Sequence, residues 1–275
     1  MADPSRLRRQ LGAELRAART LGDLTQRDLA GELGVSQATV VRLEKGEGQL
    51  LSRARTEELL AACSANDETR DRVLALTEAA HSETWRWDDG LKSGTRHLQG
   101  IARDRESGAR RIRSYTANVV PGLLQTAEYA RQLMPLADPT GAMDRAAAVA
   151  ARMRRQEVLY ESGRTFEFLL DEMCLRWSPG PRVMPGQLDR LVSISTLDAV
   201  RLGVLPSDRE GAWGWHGFTL WDPLDDSPTY VTTELLHGGQ VITDPDSVAR
   251  YEALWKVLRS AAVTGDDAMK LIHRR

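Results

Sequence analysis

Cysteine, lysine and long apolar runs are all scarce in this 275-residue chain. Two cysteines, Cys63 and Cys174, are too few for a disulfide framework, and both sit among apolar neighbours. The expectation is therefore two buried free thiols. No stretch approaches the roughly 18–20 consecutive apolar residues of a membrane span, and the start "MADPSRLRRQLGAELR" has no apolar leader core. These absences point to a cytoplasmic protein with no membrane partner. Only four of the 37 basic residues are lysine (Lys45, Lys92, Lys256, Lys270), a bias of the kind a GC-rich genome imposes. An excess of positive charge is also missing, because 39 acidic residues leave a net charge of −2. A chain that bound nucleic acid through a global field would be basic. Any such contact here must come from local placement of arginines.

The remainder is ordinary for a globular protein, with 41% hydrophobic and 28% charged residues. The length suits a small domain plus a larger one. Leu7, Leu11, Leu15 and Ala18 recur at helical spacing, and Arg8, Arg9, Arg16 and Arg19 fall on the other face. With four further helical patterns up to about Glu83, residues 1–83 are predicted to form an all-α, five-helix domain. "WRWDDGLKSGTRHL" breaks the periodicity, so 84–110 is read as a connecting segment, with Trp85 and Trp87 packing at the junction. Residues 111–275 alternate helical and strand-like stretches. They are predicted to be an α+β domain with a small, mostly antiparallel sheet. Strands are expected at "TFEFLLD", "VRLGVLP", "HGFTLWD", "TYVTTELLHG" and "GQVITD", and a closing helix at "PDSVARYEALWKVLRSAAV". Thr126 is expected to cap the helix "TAEYARQLM". Thr264 is expected to cap a last short helix.

The stretch "LTQRDLAGELGVSQATVVRLEKGEGQL" is the most informative. Thr25 with Asp28 makes a capping-box pattern, Gly34 suits a left-handed turn, and Ser36 restarts a helix two residues on. That is helix-turn-helix spacing. Leu29, Ala30 and Leu33 would face Val35, Val40 and Leu43 across the turn. Gln37, Ala38, Val41 and Arg42 would remain outside. Gln37 can pair bidentately with adenine, Arg42 with guanine or phosphate, and Val41 can meet a thymine methyl. Gln26 is placed to reach a phosphate and to brace Gln37, while Arg27, Lys45 and Arg53 would add backbone grip. The bland alternative is an αα-hairpin whose polar residues are merely solvated.

The framework "TQ…LA…LGVS…TV…LEKG" resembles the Cro/CI-type, or xenobiotic-response-element, helix-turn-helix family. The resemblance implies that Gln26 and Gln37 lie at the DNA, and that Ala38 and Thr39 set sequence preference. "VVPGLLQTAEYAR", "RMRRQEVL", "LLDEMCLR", "MPGQLDRLV" and the closing helices resemble the C-terminal domain of actinobacterial WhiJ-like regulators, some of them antitoxin-like. Taken together, these readings give a DNA-binding transcriptional regulator acting at the nucleoid. It is expected to be a homodimer on a two-fold double-stranded operator. A small-molecule effector or a small companion protein is a further expected partner. The alternative is an antitoxin-like interaction protein that autoregulates its operon.

Trp213, Trp215, His216 and Trp221 fall within nine residues, either as an aromatic wall for a ligand or partner, or as plugs of the domain core; the second role is the commoner. Arg145, Arg152, Arg154 and Arg155 would touch DNA flanks or an acidic partner, or more commonly form a solvated helix face. Catalysis is not expected. Cys174 has only His216 or His237 as a candidate base, and no nucleophile elbow surrounds it. The five histidines show no metal-ligand spacing, no phosphate loop is present, and no cofactor is expected.

Overall fold

The computed structural model describes residues 4–274 except 48–49, 87–94, 139–140, 142, 226 and 237. Residues 4–6, 82–86 and 95–99 are described by their backbone alone. Residues 87–94 of the expected connecting segment 84–110, and His237, lie outside the described residues, as do the side chains of Trp85 and Trp87; residues 95–107 of that segment form a helix. The chain forms two units, one of Met1–Glu83 with Val241–Val248, the other of Thr84–Gln240 with Ala249–Arg275.

The first unit is helical: α1 (Pro4–Leu21), α2 (Gln26–Leu33), α3 (Gln37–Lys45), α4 (Arg53–Ala62) and α5 (Asp67–His81). Its core is the apolar stripe foreseen from spacing. Leu11, Leu15 and Ala18 of α1 meet Leu29, Ala30 and Leu33 of α2, Val40 of α3, and Leu59, Leu60, Val73 and Leu74. Cys63 lies in this core as a free, buried thiol. The stretch 241–248 belongs here as well: Thr243 donates its N–H to His81 O (3.2 Å), and its hydroxyl lies 3.2 Å from His81 Nδ1.

The second unit is built on a mixed sheet, so the expected α+β architecture stands. The strands of the sheet are β1 (Ser82–Arg86), β2 (Ala109–Thr116), β3 (Thr165–Asp171), β4 (Val200–Leu205), β5 (Phe218–Pro223), β6 (Tyr230–Leu235), β7 (Gly238–Ile242) and β8 (Val263–Thr264), in the order β1-β7-β6-β5-β2-β3-β4-β8, the start of β1 and the end of β7 counting with the first unit. The helices are α6 (Thr95–Ser107), α7 (Ala127–Ala137), α8 (Arg145–Arg155), α9 (Met173–Arg176), α10 (Met184–Ser195), α11 (Pro245–Ala261) and α12 (Gly265–His273). Short 3-10 turns occupy Gly122–Leu124 and Gln156–Tyr160, the second following directly on α8. Thr126 caps α7 by accepting from Tyr129 N–H (3.1 Å), whereas the expected side-chain cap by Thr264 is not made.

The middle of the sheet was not anticipated. β2 runs parallel to β3, and β3 parallel to β4, while β5 flanks β2 antiparallel. Ile112, Phe166, Val200, Trp221 and Tyr230 stand in register across five strands on one face, against Leu191 and Ile194 of α10 and Ile272 of α12. The other face carries Tyr115 against Phe218, and Phe218 in turn meets Tyr251 at a tilt and Trp255 edge-on, both on α11. β2 reads as polar, "ARRIRSYT", because its second face holds charge. Arg113 Nη2 lies 2.9 Å from Asp222 and 3.2 Å from Glu252, and Arg111 pairs with Glu167. Paired in this way, arginines can occupy a central strand that would otherwise exclude them.

A candidate nucleic-acid interface on a pinned helix

The start of α2 and its turn into α3 follow from local bonds. Thr25 Oγ1 accepts from Asp28 N–H (3.2 Å), and Thr25 N–H donates to the Asp28 carboxylate (2.9 Å), which closes the capping box. The Thr25 hydroxyl also lies 2.6 Å from that carboxylate, and its bond first, with the one from Thr25 N–H second, holds Asp28 below its ordinary pKa. Gly34 ends α2 at φ 64°, ψ 32°, where a Cβ would be strained, and Val35 N–H returns to Ala30 O (3.0 Å). Ser36 Oγ then accepts from Thr39 N–H (3.1 Å), while the two hydroxyls share a 2.8 Å bond. Helix α3 is thereby started after only three intervening residues, with Val40 and Leu43 buried.

What pins α3 from behind lay beyond the sequence reading. Gly12 of α1 faces the end of α3: a Cβ there would lie 2.7 Å from Leu43 O, Glu44 O and Gly46 N. The two backbones therefore touch, and only glycine fits. Beside this contact sits Glu44, whose side chain is 5% exposed. Arg19 of α1 binds it through Nε and, at 3.2 Å, through Nη2; Gln26 of α2 donates to it at 2.7 Å. Arg19 also donates to Leu24 O (2.6 Å). Burial pushes the Glu44 carboxyl up, but the bonds from Arg19 and Gln26 and the charge of Arg19 outweigh it, leaving the pKa lowered. Arg19 in turn is raised, chiefly by its bond to Glu44. One carboxylate thus ties three helices together.

This hub corrects two expectations. Arg19 does not lie on a solvated face with Arg9 and Arg16; it turns inward. Gln26 does not brace Gln37, because its amide is committed to Glu44. Arg53 is also occupied, by Glu57 (3.3 Å) and by Glu78.

The outward face of α3 is as expected from spacing. Gln37, Ala38, Arg42 and Lys45 are exposed, and Val41 is half-buried. Residues 37, 41 and 45 form one row and 38 and 42 the next, so the five share a face. Ser36 is exposed at the helix start, Thr39 is half-buried, and Arg27 is exposed on α2. The only acid on α3 is Glu44, which points away into its ion pair, so this face carries Arg42 and Lys45 without a counter-charge on the same helix.

The second candidate cluster separates. Trp213 and Trp215 are 63% and 71% exposed and lie together, with ring centroids 4.4 Å apart. His216 is exposed and shares a 3.0 Å bond with the Tyr251 hydroxyl. Trp221 is buried, stacked on Tyr230, and donates its Nε1–H to Thr232 (2.9 Å). No four-residue wall forms; two rings face outward and one belongs to the core. Cys174 is buried, with Thr116 Oγ1 as its polar neighbour at 3.3 Å, and burial pushes its thiol up to about 11. Among the described residues, no group of three or more His, Cys, Asp and Glu could hold a metal ion. No described helix is long and apolar enough to cross a membrane.

Two family models match. One, described as a helix-turn-helix domain, covers residues 10–73, and the other, described as a domain of unknown function (DUF5753), covers residues 101–274. No curated protein matches the chain.

Proposed function

The chain belongs to the DUF5753 family, here preceded by a helix-turn-helix domain, and from that premise we propose that it is a sequence-specific DNA-binding transcriptional regulator. The observation that carries this reading is the exposed face of α3. It offers Gln37 for a base edge, a methyl at Ala38, and two cations, on a helix fixed from behind by Gly12 and Glu44. In the major groove Gln37, Ala38, Thr39, Val41 and Arg42 read bases, while Arg27, Ser36 and Lys45 meet the phosphate backbone. Gln26 orients α3 through Glu44 and reaches phosphate only with the second hydrogen of its Nε2. One such helix gives limited affinity, so a homodimer binds two half-sites ~34 Å apart.

The test is selection of bound fragments from genomic DNA by the purified protein, followed by titration of the recovered site. Gln37→Ala is expected to lower affinity for that site about 5- to 150-fold, the equivalent of one good bidentate base contact. Arg27→Ala is expected to weaken all sequences alike and to flatten the salt dependence by about one phosphate. Recovery of no defined site would refute the reading.

A second reading rests on Trp213 and Trp215, two adjacent indoles left in solvent. Paired exposed aromatics suit the apolar anchor of a partner. They favour the antitoxin-like alternative of the WhiJ-like resemblance, in which the C-terminal unit holds a small companion protein. Equimolar co-purification of a small protein that Trp213→Ala/Trp215→Ala abolishes would support it; its absence from native extracts would rule it out. In neither reading is the protein an enzyme, and neither needs a cofactor.

A further inference from the structure

Two arginines on α8 were expected to be solvated or to face a partner, yet both turn inward. Arg155 is satisfied in the ordinary way: its Nε–Nη2 edge closes on the buried carboxylate of Glu106, with Nε 2.8 Å away. Arg152 is not. Its Nη1 donates to Gln125 Oε1 (2.8 Å), its Nε is enclosed with no partner, and no carboxylate pairs with it among the described residues. Arg19, Arg113, Arg155 and Arg209 are comparably placed, and each has its acid. A buried guanidinium with an empty edge is costly unless something supplies the missing acceptors.

The surroundings are built to keep that edge in place. Gln125 is 2% exposed, and its Nε2 is fixed on Val120 O (2.6 Å), which aims its oxygen at Arg152. Gln156, 6% exposed, donates to Gly122 O (3.0 Å) and Gln125 O (2.7 Å) and accepts from Arg190 Nη2 (3.2 Å). Arg190, on α10, also has no carboxylate partner among the described residues, so a second cation hangs from the same loop. Gly122 borders the empty edge: a Cβ there would lie 3.5 Å from Arg152 Nε. Glycine leaves this side of the guanidinium bare.

We propose that the Nε–Nη2 edge of Arg152 anchors a binding site for a small solute bearing an oxyanion with two acceptor oxygens, with Arg190 as the supporting cation. Such an edge donates two parallel N–H bonds to a carboxylate or phosphate, as Arg155 does to Glu106. Burial, ahead of the repulsion by Arg155, pushes the Arg152 guanidinium down to about 10, and Glu234 and Glu106 offset this only in part. A bound anion supplies the countercharge. The site lies in the DUF5753 unit and stands apart from the DNA reading, so the failure of either leaves the other intact.

The experiment uses the full chain. Thermal melting is followed while inorganic phosphate or acetate is titrated against chloride at matched ionic strength. At least one of the two is expected to raise the midpoint saturably, by several degrees. Arg152→Gln should abolish the rise. Gly122→Val, which keeps the arginine and covers its edge, should weaken it at least tenfold, and it decides the matter if Arg152→Gln does not fold. A response to phosphate alone identifies a phosphorylated solute, one to acetate alone a carboxylate, and either supports the site. No saturable rise beyond chloride, or an equal rise in Gly122→Val, overturns it.

Discussion

Removing the carboxylate at position 44 should loosen the helix proposed to read DNA without disturbing the sheet unit. Glu44 is 5% exposed, accepts two bonds from Arg19 and one from Gln26, and is the point where α1, α2 and α3 meet. Breaking a buried ion pair by deleting one partner costs about 3–5 kcal/mol, because the other charge stays behind. Arg19 retains 12% exposure and can recover some water, so Glu44→Ala is placed at the lower end, about 3 kcal/mol. That is roughly a hundredfold in the opening equilibrium of α3. Glu44→Gln, which keeps the shape and loses the charge, should fall between the variant and the native protein. Hydrogen exchange resolved to peptides from α3 is the suitable assay. The sign of the pH dependence follows from the lowered pKa. The contribution is fully present above the ordinary value of 4.5 and disappears as pH falls through the lower folded value. The gap between native and Glu44→Ala should therefore persist through neutral and mildly acidic pH and close only below it. Exchange in α3 of Glu44→Ala within threefold of native at pH 7 would refute the hub.

Gly12→Val places a branched side chain where even a Cβ sits 2.7 Å from three backbone atoms of α3, so it should cost about 1–3 kcal/mol or more, read by far-UV circular dichroism melts. Arg113→Ala leaves Asp222 buried without its cation and should destabilise the sheet unit by about 3–5 kcal/mol, visible as an earlier tryptophan unfolding transition in urea. Cys174, with its thiol near 11 and no exposure, should resist iodoacetamide at pH 8 in the folded protein and react only in denaturant; rapid native labelling would contradict that environment.

Sequence alone was most informative where the determinants are local. The Thr25–Asp28 box, the turn at Gly34 and the cap at Ser36 each involve residues at most six apart, so a short window contains the whole cause. The outward row of α3 follows from the same periodicity. Glu44 was passed over because its partners are 18 and 25 positions away, and nothing in "RLEKG" indicates which side chain turns inward. β2 was passed over for the same reason. Its arginines look like a loop's until Asp222, more than a hundred positions later, is set against Arg113. Arg152 and Arg155 look alike in "RMRRQ"; which has an acid and which lacks one depends on Glu106 and on a glutamine at 125. The tryptophan cluster was a pattern of proximity in the chain, and alternation in β5 sent Trp221 inward while the loop before it kept Trp213 and Trp215 outside.

The return of residues 241–248 to the helical unit changes what counts as a separable part. The chain passes between the two units three times, after 83, after 240 and after 248, rather than once. A fragment ending at Glu83 would lose Thr243, leaving His81 O and Nδ1 without the bonds they make in the full chain. The helix-turn-helix is therefore not a bead on a string that can be clipped off and grafted elsewhere. Its last helix is finished by a stretch the ribosome adds some 160 residues later, so this unit reaches its complete form only after the sheet strands between them have been made.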